Sequence, residues 1–239
     1  MNLKNQNEVN FTYAFQPIVD VNEKNIFSYE ALIRGKNNES PKAVFSQICK
    51  ADLLEFDQQA RETALKMASN LGVCCYINLN FMPRCLQSSD KYILATLEAL
   101  KKNGLSQNQL IIEITEEEVI HDQQKFSNHI NKFRGTGIKV ALDDFGAGYS
   151  GLNLLANFQP DMIKLDMQLI RNINTHGPRQ AIVKAIIQTC IGLGIDVIAE
   201  GVETLGEYHW LKEHQIYLFQ GYLLAKPGFE CLPQVYYPN

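Results

Sequence analysis

The sequence predicts an α/β protein whose strands close into a TIM-type (β/α)₈ barrel, on three observations. Eight short, apolar, β-rich runs recur along the chain, most of them separated by segments of helical periodicity. No Pro/Gly/Ser-rich linker, low-complexity stretch or internal repeat divides the 239 residues, a length near that of such a barrel, so 1–239 read as one domain. The connection between the first two runs, residues 20–25, is too short for a crossover helix. Those strands must therefore pair antiparallel, which modifies the barrel at its first strand.

In order, the runs are residues 14–19, 26–33, 74–79, 110–114, 138–142, 162–165, 197–199 and 216–219. Between them, residues 52–71 closed by Gly72, 90–102 closed by Gly104 and 178–193 closed by Gly194 read as helices ended by the residue that most readily turns left-handed. Residues 1–10 read as a flexible N-terminal segment with no apolar run suited to a signal-peptide core, which predicts a cytoplasmic location. The most apolar stretch, 181–199, is interrupted by Lys184, Gln188 and Asp196, so no membrane span is expected.

Composition narrows the function. With 46% hydrophobic and 20% charged residues the chain is globular rather than disordered. A net charge of −4 gives no general attraction for a nucleic acid polymer or an anionic membrane, so any anionic ligand needs a local device. Six cysteines without a C-x-x-C pair read as reduced, mostly buried thiols. His209 and His214, five apart, fall on different helix faces, so imidazole and thiolate metal chemistry is not expected.

Polar groups interrupt the apolar runs, usually near their C-terminal ends: Gln16, Glu30, Asn78, Glu113, Asp143 with Asp144, Lys164, Glu200 and Gln220. Singly, each is readable as a solvated strand end; in a barrel these positions converge on one site. The five carboxylates up to Glu200, with the amide oxygen of Asn78, form an all-oxygen set suited to hard divalent ions such as Mg²⁺ or Mn²⁺. Adjacent aspartates leaving a strand let one carboxylate bridge two metals while its neighbour holds the second, an arrangement for in-line displacement at phosphorus. Asp-Asp alone is also ordinary turn chemistry. Lys164, costly inside an apolar run unless paired, is expected to face the carboxylates, as a charge balance, a water-orienting group or a structural ion pair. Glu30 and Arg34 share one strand face with Leu32 between them, so Arg34 can grip a phosphate or form a surface ion pair. Counting five carboxylates, Lys164 and Arg34, the metal-free site carries −3, and two divalent ions bring it to +1.

One motif points elsewhere. Gly146-Ala147-Gly148-Tyr149-Ser150-Gly151 follows a strand, with Asp166 twenty residues past Gly146, and mimics a dinucleotide-binding fingerprint of an oxidoreductase. The adjacent carboxylates stand where a pyrophosphate would approach, so a mobile glycine-rich loop over the site is the preferred reading.

Glu30-Ala31-Leu32 followed by Arg34 resembles the signature of the EAL domain family, the cyclic di-GMP phosphodiesterases. It is joined in family order by Gln16-Pro17-Ile18, Asn78, Glu113-Ile114-Thr115-Glu116, Asp143-Asp144-Phe145-Gly146, Lys164-Leu165-Asp166, Ala199-Glu200-Gly201-Val202-Glu203, and Gln220-Gly221-Tyr222 with Pro227. The resemblance implies hydrolysis of 3′,5′-cyclic di-GMP to linear pGpG with two divalent cations, Mg²⁺ or Mn²⁺. Glu30, Asn78, Glu113 and Asp143 would hold one, and Asp143 and Asp144 the other, with water between them. Lys164 and Glu200 would bind or activate the metal-bound waters. Gln16, Leu32, Arg34 and Gln220 would contact substrate or order the water shell. Glu116 and Glu203 resemble residues that hold the loop after Asp144, linked in this family to dimerisation, so a homodimer is implied.

Ala147, Gly151 and Asn80 depart mildly from the family pattern, and Met167 and Gly35 replace a frequent arginine and tryptophan, which bears on dimer contacts and substrate affinity. Some members have lost metal ligands and act by binding nucleotide or protein, so a catalytically weak receptor or interaction module is the alternative. No attached sensor domain is visible, which leaves regulation to expression, an unidentified protein partner or a larger arrangement.

Overall fold

The computed structural model describes residues 9–82, 84–85, 89–115, 123–148 and 151–238. The expected flexible segment 1–10 falls largely outside the described residues.

Two long strands open the chain, β1 (Phe11–Asp20) and β2 (Asn25–Gly35), antiparallel and in register from Phe11–Gly35 to Asp20–Asn25, with a bulge between Ile18 and Val19. β3 (Tyr76–Asn80), β4 (Leu110–Thr115), β5 (Lys139–Phe145), β6 (Met162–Leu165), β7 (Asp196–Ala199) and β8 (Leu218–Phe219) follow, each parallel to the one before it from β2 onward. β8 then pairs antiparallel with the end of β1, through Val19–Phe219 and Asp20–Leu218, and the barrel closes. A two-residue strand not foreseen from the sequence, β9 (Gly228–Phe229), lies along β1 at Ala14 and Phe15. It is too short to carry a periodicity.

Around the barrel run α1 (Pro41–Phe45), α2 (Leu53–Asn70), α3 (Lys91–Lys102), α4 (Gln123–Arg134), α5 (Gly151–Asn157), α6 (Met167–Ile170), α7 (Gly177–Leu193) and α8 (Leu205–Glu213). The helices expected at 52–71, 90–102 and 178–193 correspond to α2, α3 and α7 within a residue or so at each end. α7 stops where Gly194 takes φ 69°, a left-handed cap whose N–H reaches back into the last turn. No helix among the described residues is long and apolar enough to cross a membrane.

The barrel interior follows from strand alternation. Inward side chains occur every second residue, so Ile18, Ile111, Ala141, Met162, Ile198 and Leu218 form one fully buried apolar layer, with Phe27, Tyr76 and Tyr217 packed against it. Two residues further on, the parallel strands point Glu113, Asp143, Lys164, Glu200 and Gln220 inward, above that layer. β1 runs the other way, so its matching residue precedes Ile18. Gln16 thus enters the same layer from mid-strand, opposite Glu30, rather than from a C-terminal end.

No disulfide forms among the described residues, but the expectation that most thiols are buried needs correction. Cys85 and Cys190 are buried, whereas Cys49, Cys74 and Cys231 are exposed, because these three lie outside the regular elements in connecting segments.

One cap ties the helical layer to the mouth of the barrel. Thr204 and Glu207 form a reciprocal capping box at the start of α8. The fully buried Glu207 carboxylate also accepts from the backbone N–H of Asn172 at 2.9 Å and of Glu203 at 3.1 Å. Burial alone would raise its pKa, but these backbone donors together hold it below the ordinary carboxylate value. Glu207→Gln turns an amide N–H₂ toward N–H donors and is expected to cost about 2 kcal/mol. Because the folded-state pKa is lowered, the contribution is complete above the unfolded value near 4.3 and disappears as the pH falls through the lowered one. Urea unfolding at neutral and at acid pH checks this: the gap between wild type and variant should close in acid.

Candidate active site

Lys164 stands at the centre of the polar layer, 1% exposed. Its Nζ lies 2.6 Å from Glu200 Oε1, 2.8 Å from Glu113 Oε1, 3.0 Å from Asp143 Oδ1 and 3.2 Å from Glu30 Oε2. One ammonium is thus shared by carboxylates from β2, β4 and β5 and from the residue that follows β7, as its place in an apolar run suggested. Burial works against its charge, yet Asp143, Glu113, Glu200 and Glu30 more than compensate and hold its pKa well above the ordinary lysine value.

The carboxylates do not behave alike. Burial opposes the charge of Glu30, but Lys164, Gln220 and Asn80 hold its pKa below normal. Gln220 Nε2 donates to Glu30 Oε2 at 2.8 Å, and Asn80 Nδ2 to Oε1 at 3.3 Å. Burial drives Glu113 and Glu200 well above the ordinary range, with neighbouring carboxylates adding to it against Lys164. Asp144 is pushed up to about 6 by burial, Asp143 and Asp166. At Glu113 and Glu200 desolvation and mutual repulsion outweigh the one lysine, so −3 is the most negative charge the ring can carry without a cation.

A regular strand would point Asp143 and Asp144 to opposite faces. β5 departs from regularity between Leu142 and Phe145, where its register with β6 shifts, and Asp144 takes φ 54° in the left-handed region. The bulge allows both neighbours to serve the same mouth. Two acidic groups result, Glu30–Glu113–Asp143 and Asp143–Asp144–Glu200, each with ligand oxygens within 4.8 Å of one another. Asp143 belongs to both, as a bridging carboxylate would; Glu200 stands in the second, where it was expected to work through water.

The donor set fits a hard divalent cation. Asn78 Oδ1 and Glu113 Oε2 are buried oxygens without hydrogen-bond partners among the described residues, although the Asn78 amide donates to Glu113 Oε1 at 2.7 Å. Buried acceptors left bare are costly, and a cation facing them removes that cost. Oxygen donors without imidazole or thiolate suit Mg²⁺, Mn²⁺ or Ca²⁺ rather than zinc.

Above this layer opens a cavity of about 290 Å³, walled in part by Gln16, Asp144, Glu200, Gln220 and Tyr222. Asn78 and Glu113 lie beneath it, fully buried. Gln16 donates to the Ala225 carbonyl at 3.1 Å. Leu32 and Arg34 are not in the wall; the half-buried Arg34 guanidinium donates to the Ile33 carbonyl at 2.8 Å and makes no ion pair among the described residues. Glu203, also on the wall, pairs with Arg171 at 2.8 Å. Glu116, Tyr149 and Ser150 lie outside the described residues.

Sequence reasoning passed over Asn80 as a partner of Glu30. Its spacing of two from Asn78 was the available signal, since both must share a strand face. Met167, noted only as a departure, is 47% exposed on the cavity wall. A Cβ on Gly35 would lie 2.2 Å from Glu39 Oε2, the end of an exposed side chain that can swing aside. Gly221 is constrained by backbone instead: a Cβ would meet the Val202 carbonyl oxygen at 2.1 Å.

These features define a closed, modified (β/α)₈ barrel with an acidic, cation-suited mouth. The EAL domain pattern matches residues 2–227, and the chain belongs to the EAL domain family. It is similar to a standalone versatile EAL protein from Vibrio cholerae O395 in its c-di-GMP-bound form, with TM-score 0.91, 43% identity, and 96% of this chain and 97% of that one covered. Klebsiella pneumoniae BlrP1, solved with manganese and cyclic di-GMP at pH 6, gives TM-score 0.90 and 38% identity over 98% of this chain and 59% of that one. The blue light- and temperature-regulated antirepressor BluF of Escherichia coli K12 is 39% identical over 233 residues, 97% of this chain. The chain spans 58% of BluF's length. The oxidoreductase alternative falls: the glycine-rich segment follows a strand inside a closed barrel, not the first strand of an open doubly wound sheet.

Proposed function

We propose that this chain is a metal-dependent phosphodiesterase that hydrolyses 3′,5′-cyclic di-GMP to linear 5′-pGpG. The observation that carries the proposal is the pair of buried oxygens without partners among the described residues, Asn78 Oδ1 and Glu113 Oε2, beside an acidic ring that shares one lysine. The similarity to solved EAL proteins bound to cyclic di-GMP supplies the substrate.

In this reading Glu30, Asn78, Glu113 and Asp143 hold one divalent cation, and Asp143 and Asp144 hold a second, with Glu200 beside it. When bound, such cations supply Lewis acidity and lower the pKa of water. Water attacks phosphorus in line, the bond from phosphorus to the 3′ oxygen breaks, and the leaving oxygen takes up a proton, which leaves a 5′-phosphate. Lys164 and Glu200, in contact at 2.6 Å, orient the attacking water and handle its proton. Gln16, Gln220, Leu32 and Arg34 position the substrate, Arg34 after its guanidinium leaves the Ile33 carbonyl. Glu203 and Glu116 hold the segment after Asp144, and the active form is a homodimer.

Incubating purified protein with cyclic di-GMP and Mg²⁺, Mn²⁺ or chelator, followed by chromatography, tests the reading. Metal-dependent pGpG is expected. Nucleotide binding without product would favour a second reading, a receptor or protein-interaction module, which the likeness to an antirepressor supports. A further expectation concerns charge. Stripping metal should weaken binding of the anionic substrate as well as stop turnover, since the acidic ring then faces the phosphates uncompensated. Calorimetric titration with the non-cleaved complex in Ca²⁺ against chelator checks this, and equal affinities would refute it.

A further inference from the structure

A second charged cluster is buried outside the barrel, and neither the sequence reading nor the proposed chemistry uses it. Asp57 and Arg61, one turn apart on α2, form an ion pair with the two residues only 6% and 2% exposed. Arg61 Nε also donates to Thr96 Oγ1 on α3 at 3.1 Å, and Cys85 Sγ donates to Asp57 Oδ2 at 3.2 Å. The guanidinium lies over the Phe81 ring, 3.9 Å from its centroid, and its Nη2 has no hydrogen-bond partner among the described residues.

A buried ion pair is a poor source of stability by itself, because desolvation offsets its attraction. What this one does hold is the chain where it leaves the barrel. Phe81 directly follows Asn80, the last residue of β3, and its N–H donates to the Glu113 carbonyl at 2.9 Å. Asn80 donates to Glu30, and Asn78 to Glu113. From Arg61 to the acidic ring there is thus one ring and one residue.

We propose that Arg61, braced by Asp57, is a positioning residue for the cation site: through Phe81 it fixes the exit of β3, and so the direction in which Asn78 and Asn80 hold Glu113 and Glu30. The inference rests on the function proposed above. Groups that orient ligands from behind change metal affinity by about 10–100-fold when altered.

The test is Mn²⁺ titration by calorimetry on the full chain, at a temperature where circular dichroism shows each variant folded. Arg61→Lys keeps the charge against Asp57 but cannot lie flat on Phe81 while bonding Thr96. Phe81→Leu removes the ring and leaves the pair intact. Ile93→Val, a trim in the buried face of α3, stands for plain loss of stability. The Mn²⁺ dissociation constant is expected to rise about tenfold in the first two and stay at the wild-type value in the third. At saturating Mn²⁺, KM for cyclic di-GMP should remain within about twofold, since the substrate contacts are untouched. Wild-type Mn²⁺ affinity in folded Arg61→Lys and Phe81→Leu would overturn the inference, as would an equal loss in Ile93→Val. If Arg61→Lys does not fold, Phe81→Leu decides. Absence of Mn²⁺ uptake by the wild type would overturn the proposed function and this inference with it, whereas uptake and turnover with unaltered variants would overturn this inference alone.

Discussion

Replacing Glu30 with alanine is expected to lower turnover by at least about 10³-fold, the loss that follows when several kcal/mol of metal-derived stabilisation disappear. Glu30 joins Glu113 and Asp143 in the first acidic group and accepts from Gln220 and Asn80. The fold should tolerate the change. Lys164 keeps Glu113, Asp143 and Glu200 as partners, so no buried charge is left alone. The melting temperature in chelator should stay within about 5 °C of the wild type. Steady-state hydrolysis at matched free metal, with thermal melts in chelator, checks both parts. Unchanged turnover would remove Glu30 from the site.

Lys164→Ala should act differently. Its ammonium is shared by Glu30, Glu113, Asp143 and Glu200, all within 3.2 Å. Without it the ring loses its only buried cation among the described residues, and breaking such a buried arrangement costs about 3–5 kcal/mol. Divalent metal can replace that charge, so the variant's melting temperature should become far more metal-dependent than that of the wild type. In saturating metal, kcat should fall by about 10²–10⁴-fold, the range for losing a proton-handling group, with KM changed only severalfold. If KM alone moves, Lys164 is a substrate-binding residue.

The two variants bear on what the amino-acid order discloses. A lysine between isoleucine and leucine has few acceptable surroundings, so Lys164 announced its carboxylate partners. The antiparallel β1–β2 pair was equally readable, since no crossover helix fits between them. The doubled aspartate was harder. Strand alternation sends Asp144 away from the mouth, and only the bulge and its positive φ bring it back. Arg61 and Asp57 show the converse. Opposite charges four apart on a helix ordinarily mark a solvated face, and nothing local discloses that α3 and Phe81 cover them. Patterns of period two or 3.6 report which side of an element is buried, not which distant residues arrive there.

Barrel closure has a consequence for how the chain acquires its function during synthesis. β1 waits for β8, about two hundred residues later, before Val19 meets Phe219. Glu30 meets Gln220 across 190 residues. A nascent chain emerging at about 5–20 residues per second therefore carries its first acidic side chains for roughly 10 s or more before their last partner exists. Until β8 docks, the mouth of the barrel has a gap, and Glu30 lacks its Gln220 partner. On the function proposed above, a polypeptide ending before β8 would carry Glu30, Glu113 and Asp143 without an assembled site.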